Sequence, residues 1–179
     1  MIRMLLLVAG TLWLACSDLP AGDDKGVPVK VPENLQIPKG HRLLLSVEAE
    51  GVQIYISKEG KDGKPEWSFK APLADLVERG KRVGYHYEGP SWEALDGSKV
   101  ALDKSEAVAK ADSPNPREDI PWLRIKLKAD GKQGTLSNAV YVLRVNTRGG
   151  VAPAELPTRL GTEVGVKYKA VYQFYGPEK

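Results

Sequence analysis

Residues 42–57 read RLLLSVEAEGVQIYIS, and the spacing of apolar side chains in this stretch decides the fold class. Leu43, Leu45, Val47 and Ala49 recur at every second position, with Ser46, Glu48 and Glu50 between them. After Gly51 the alternation resumes, with Val52, Ile54 and Ile56 opposite Gln53, Tyr55 and Ser57. A period of two places successive side chains on opposite faces of an extended chain, and a helix cannot bury such a pattern on one side.

The same signal returns along the chain. VGYHYE alternates around Val83, Tyr85 and Tyr87. In PWLRIKLK, Leu123, Ile125 and Leu127 oppose Arg124, Lys126 and Lys128. NAVYVLRVNT and KYKAVYQFY are longer runs rich in Val and Tyr, residues that suit a pleated, half-buried surface. Turn dipeptides punctuate them at Asp62-Gly63, Asp96-Gly97 and Asp130-Gly131. Helical spacing occurs twice and briefly. Leu73, Leu76 and Val77 in PLADLVERG predict about two turns ended by Gly80, and Lys104–Ala111 predicts a turn or two stopped by Pro114 and Pro116. The chain therefore predicts an all-β fold, an antiparallel β-sandwich or flattened barrel with at most one or two short helices.

At 179 residues the length suits one domain. Hydrophobic residues make up 42%, enough for one core and too few for further membrane spans. Lys and Arg total 26 against 23 Asp and Glu, so no basic face for nucleic acid is expected. Arg148-Gly149-Gly150 reads as a turn rather than as an RNA-binding repeat.

The lone cysteine, Cys16, closes the greasy run LLLVAGTLWLAC behind Arg3. A run of that length matches the apolar core of a secretory signal and falls short of the roughly 20 residues that span a bilayer. Trp13-Leu14-Ala15-Cys16 resembles the lipobox of bacterial lipoproteins, with Trp13 where leucine is usual. The expected organisation is a signal peptide at 1–15, a lipid-anchored tether at 16–39 and a β-sandwich domain at 40–179. Pro20, Pro28, Pro32 and Pro38 argue for the tether, at least over its first half. Acylation at Cys16 would make the membrane a partner, and Ser17 favours the outer membrane, facing the periplasm. Ordinary cleavage after Ser17 is the rival, and would leave a secreted or periplasmic soluble protein. A buried N-terminal segment carrying an incidental cysteine is a third alternative.

GVQIYIS, EWSFKAPLADLVERGKRVGYHYEGPSWEALDGSKV, DIPWLRIKLK, VLRVNTRGGVAP and YKAVYQFY follow one another in an order that resembles the domain of unknown function 3455 family, over about residues 31–175. VGYHYEGPSWEALDGS, IPWL and RVNTRGGVAP are its most specific pieces. The resemblance implies a single exported β-rich domain and supplies no activity. It also implies a cysteine after the QIY segment and another after GG-x-x-P. Ser57 stands in the first place here and no cysteine in the second, so no disulfide forms there.

The densest polar stretch is Tyr85–Glu93, followed by Asp96-Gly97-Ser98. His86 with Glu93 or Asp96 would be a general base with its orienting carboxylate. The plainer alternative gives His86 a loop carbonyl and makes Asp96-Gly97 only a turn. Ser91 sits outside a G-x-S-x-G elbow, and His41 and His86 are too few and too distant for zinc. No calcium loop or phosphate-cradling glycine loop occurs, so neither metal nor cofactor is expected. Trp67, Trp92 and Trp122 with seven tyrosines could form a ligand platform or simply a core. Trp92, in a Gly-Pro-Ser turn, is the aromatic expected beside a surface cleft. Arg144 and Asn146, opposite Leu143 and Val145, are expected to line the same cleft with His86.

Two functions follow. One is a non-enzymatic envelope lipoprotein that binds a small molecule, glycan or protein or serves as a surface component. The other is an envelope enzyme using His86 as base with Glu93 or Asp96.

Overall fold

The computed structural model describes residues 28–178. Arg3, Cys16 and the signal and lipid-anchor expectations lie outside the described residues.

Nine strands follow one another: β1 (His41–Glu59), β2 (Pro65–Glu78), β3 (Lys81–Tyr87), β4 (Ser91–Ala94), β5 (Lys99–Leu102), β6 (Ala109–Ala111), β7 (Trp122–Ala129), β8 (Tyr141–Gly149) and β9 (Glu163–Pro177). They pair in the order β5-β4-β3-β2-β1-β9-β8-β7-β6, and β5 also pairs with β7. That last pairing, Val100↔Ala129 to Leu102↔Leu127, closes eight antiparallel strands into a ring. The short β6 continues along the same side of β7, with Ala109 opposite Arg124. The fold is thus all-β, a closed barrel, and closure leaves no long edge open to foreign strands. Among the described residues the one helical turn is a 3-10 segment, Glu33–Leu35.

Both helical expectations give way to strand. Residues 71–78 belong to β2, where Ala74 and Leu76 face inward and Leu73 stands 55% exposed. A bulge between Leu76 and Val77 makes these neighbours imitate helical spacing. Lys104–Ala111 is a turn followed by β6.

The barrel's interior is packed unevenly along its axis. Towards one end Val47, Ala49, Leu76, Val100, Leu127 and Phe174 form a continuous apolar cluster. The β7–β8 loop adds Leu136 and Ala139 to it. Along β1 the inward face then turns polar, with Gln53 and Ser57 each 2% exposed. Val52, Ile54 and Ile56, on the other face, are only half-buried. A second bulge, at Leu43/Leu45 against β9, separates two residues that share a face in an ideal strand. Leu43 packs on the outer cluster and Leu45 on the inner one.

That outer cluster explains why β8 is apolar on both faces. Tyr141, Leu143 and Val145 point out of the barrel with Tyr175, and Leu35 lies on them fully buried. Val29, Val31 and Ile37 pack beside Leu35. Gln173 Oε1 accepts a hydrogen bond from Val29 N at 3.2 Å, and Arg124 Nη1 donates to Gln36 O at 2.6 Å. Residues 29–37 are therefore a strap fastened to the barrel, and the tether expected over 16–39 does not extend over them.

Candidate functional site

Alternation in β3 and β4 sends His86 and Trp92 inward as a cross-strand pair, while the neighbouring pair, Tyr85 and Glu93, faces out. His86 is 2% exposed and Trp92 is completely buried. Their rings stack in parallel at 4.5 Å with 7° between the planes, and Tyr172 meets His86 edge-on at 5.0 Å. His86 Nδ1 lies 2.9 Å from Ser91 O. A carbonyl only accepts, so Nδ1 carries the proton and Nε2 is left as an acceptor. Burial holds the imidazole pKa down to about 3, against the pull of the Ser91 hydrogen bond, so the ring is neutral at physiological pH.

Arg144 enters from the other side of the ring, between Leu123 of β7 and Tyr172 of β9. Its Nε and Nη2 donate to Pro121 O at 3.1 and 3.0 Å. No carboxylate among the described residues pairs with it. Its charge acts on Tyr55, His86, Tyr168 and Tyr172, in each case favouring the form with one proton fewer. Desolvation outweighs that pull for the tyrosines and holds their hydroxyls protonated.

Between these groups lies a cavity of about 350 Å³, at the barrel end where the β3–β4 turn meets the segment leading into β7. Leu123, Ile125, Trp92 and Pro72 supply apolar wall, and Phe69 and Lys110 stand at its exposed rim. Tyr55 OH donates to Gly150 O at 2.6 Å and so anchors the 149–151 segment beside the mouth. Both Gly149 and Gly150 have positive φ, 71° and 87°, so the expected tight turn is a change of direction at the end of β8. Gln53 Nε2, Trp92 Nε1 and the Tyr168 and Tyr172 hydroxyls are shut off from water without a well-formed hydrogen bond. Tyr168 lies close enough to Gln53 and Tyr172 to be influenced by both. Buried polar atoms without well-formed bonds are rare because each costs about 1–3 kcal/mol.

The structure thus brings His86, Trp92 and Arg144 together and separates the other expected site residues from them. Asn146 is turned away by a bulge: β8 advances from Val145 to Arg148 while β9 advances only from Val171 to Lys169. Asn146 absorbs the extra residue with φ 49°, a conformation asparagine tolerates, and lines an outer groove with Glu50, Asp119 and Trp122. That groove is larger, about 610 Å³, and more polar, with Lys169 paired to Glu50 and Asp119 Oδ1 accepting from Gly149 N.

Glu93 lies on the outer face of the β3–β4 hairpin, where its Oε2 accepts from Tyr87 OH at 2.6 Å. Asp96 is at the far, packed end. Its two oxygens accept from the amides and hydroxyls of Ser98 and Thr135, at 2.6–2.8 Å, clasping the β4–β5 turn to the β7–β8 loop. Those donors hold its carboxyl well below the usual range. No carboxylate orients His86, so the base-and-carboxylate pair does not assemble. Among the described residues no group of three His, Cys, Asp or Glu side chains is placed to hold a metal ion.

Residues 38–176 match the family described as "Protein of unknown function (DUF3455)". The chain belongs to that family. The match runs from just before β1 to the last residues of β9, so the DUF3455 region is the whole barrel, with most of the strap preceding it. No curated protein and no solved structure matches the chain.

Gln53, Tyr55, Phe69, Leu123 and Tyr172 complete the cavity, and sequence reasoning did not assign them to it. The available signal was Gln53, a polar side chain in phase with Val47 and Ala49.

Proposed function

We propose that this DUF3455 member is a binding protein that holds a small ligand inside its barrel, exported and fastened to the bacterial cell envelope through Cys16. Binding is supported above all by the cavity between His86, Trp92 and Arg144, walled by Leu123, Ile125 and Pro72 and holding a guanidinium with no carboxylate beside it. An eight-stranded barrel has room for packed side chains or for one small ligand, and here the apolar packing stops short of one end. The anchor rests on the sequence alone, on Arg3, the apolar run and Trp13-Leu14-Ala15-Cys16. Outer-membrane placement rests on Ser17.

Calorimetric titration of the purified protein with 2-naphthylmethanol, a neutral bicyclic probe, and with 2-naphthoate tests the binding role. At least one is expected to bind with one site per chain, and Leu123→Trp, which fills the cavity, is expected to abolish it. Failure of both probes to bind, or binding that survives Leu123→Trp in a folded protein, would overturn this function. For the anchor, Cys16→Ala is expected to abolish acyl labelling and release the protein from membranes. Unchanged membrane retention would contradict it.

A further inference from the structure

The lining of the cavity has an asymmetry of charge. Arg144 and Lys110 are its two cations, and neither aspartate nor glutamate contributes to it. Elsewhere the exposed lysines near carboxylates find partners, as Lys70 does with Glu163 at 2.6 Å. Arg124 on the next strand pairs with Glu106 at 3.1 Å. Arg144 has no carboxylate: the Pro121 carbonyl takes two of the five N–H donors its guanidinium offers, and the Tyr172 hydroxyl lies within its reach. A half-buried cation with only neutral oxygens beside it keeps a positive potential, and low-dielectric walls strengthen it.

Around Arg144 the walls are aromatic and aliphatic. Trp92, Leu123, Ile125 and Phe69 supply flat and branched apolar wall, and the neutral His86 Nε2 is an acceptor. Because the His86 ring stays neutral, it adds no second charge inside. A volume of about 350 Å³ corresponds to roughly ten waters, which limits the occupant to one or two rings or a short chain.

We propose that the cavity takes a compact organic monoanion, its acidic group against Arg144 and its apolar body between Trp92, Leu123 and Phe69. This rests on the binding role above and adds the ligand's charge and shape to it. Lys110 at the rim steers the anion inward, and Arg144 holds it by charge-assisted hydrogen bonds.

A matched set of probes on one naphthalene frame tests this by calorimetry of the purified protein: 2-naphthoate, 2-naphthylmethanol and the 2-naphthylmethylammonium ion. The expected order is naphthoate tightest, roughly tenfold or more tighter than the alcohol, with the ammonium weakest. Arg144→Met should abolish the preference, so that naphthoate and the alcohol bind that variant about equally, while Arg144→Lys should keep part of it. Should Arg144→Met fail to fold, the charge order in the unmodified protein and its weakening with salt decide the matter. Equal binding of naphthoate and alcohol, or a preference that survives Arg144→Met, overturns the charge assignment and leaves the binding role standing. No binding by any of the three overturns both.

Discussion

His86 and Trp92, opposite each other on β3 and β4, stack in parallel at 4.5 Å inside the barrel, with Tyr172 closing the group edge-on. A neutral imidazole tolerates that surrounding, and an imidazolium would be desolvated there with no carboxylate beside it.

A dependence of stability on pH follows. The folded pKa of His86 lies at about 3, below its ordinary 6.5, so between those values the unfolded chain binds more protons. Its contribution is therefore complete above pH 6.5 and is lost progressively as pH falls towards 3, on the order of 5 kcal/mol in all. Denaturant titrations from pH 7.5 to 4 should show His86→Gln losing less stability on acidification than the unmodified protein. Parallel pH curves for the two would contradict the buried neutral ring.

Leu35 carries the strap on its own side chain, fully buried against Tyr141, Leu143 and Tyr175. Leu35→Ala should cost about 2–4 kcal/mol of unfolding free energy, the range for emptying a well-packed leucine site. A free tether at this position would show no change in the denaturation midpoint.

Asp96 is predicted to be a clasp with no part in binding. Asp96→Ala frees four donors on Ser98 and Thr135 at once. Faster amide hydrogen exchange at Ser98 and Thr135, a lower melting temperature and unchanged probe affinity are expected. Loss of probe binding without change in exchange would place Asp96 in the site after all.

Ser57 occupies the position where the family resemblance implies a cysteine, and its hydroxyl is buried without a partner. Ser57→Ala removes an unsatisfied group and should raise stability by about 1 kcal/mol. A destabilisation of similar size in the same denaturation assay would mean that the hydroxyl is satisfied.

The strands were legible because period two survives wherever one face is buried, as in Leu123, Ile125 and Leu127. What misled was the bulge, which shifts phase without leaving a mark in composition. It gave Leu76 and Val77 a helical look, and it carried Asn146 out of the site while leaving Arg144 in. Alternation placed Arg144 opposite Leu143, but the more hydrophobic face of β8 is the outer one, covered by a strap about 110 residues earlier in the chain. The proximity of Arg144 to His86 likewise depends on pairings between strands distant in sequence, which local pattern does not encode. Trp92 does border a cavity, although its own ring is buried in the wall rather than displayed.

The incompletely filled end of this barrel is the proposed binding site, and crystallography can show it occupied. Crystals of the protein grown with 4-iodobenzoate, inspected for anomalous scattering, should place one iodine inside the barrel beside Trp92 and Leu123, with the carboxylate towards Arg144. Iodine found only on the outer surface, with the space between His86 and Arg144 filled by their own side chains, would contradict the account.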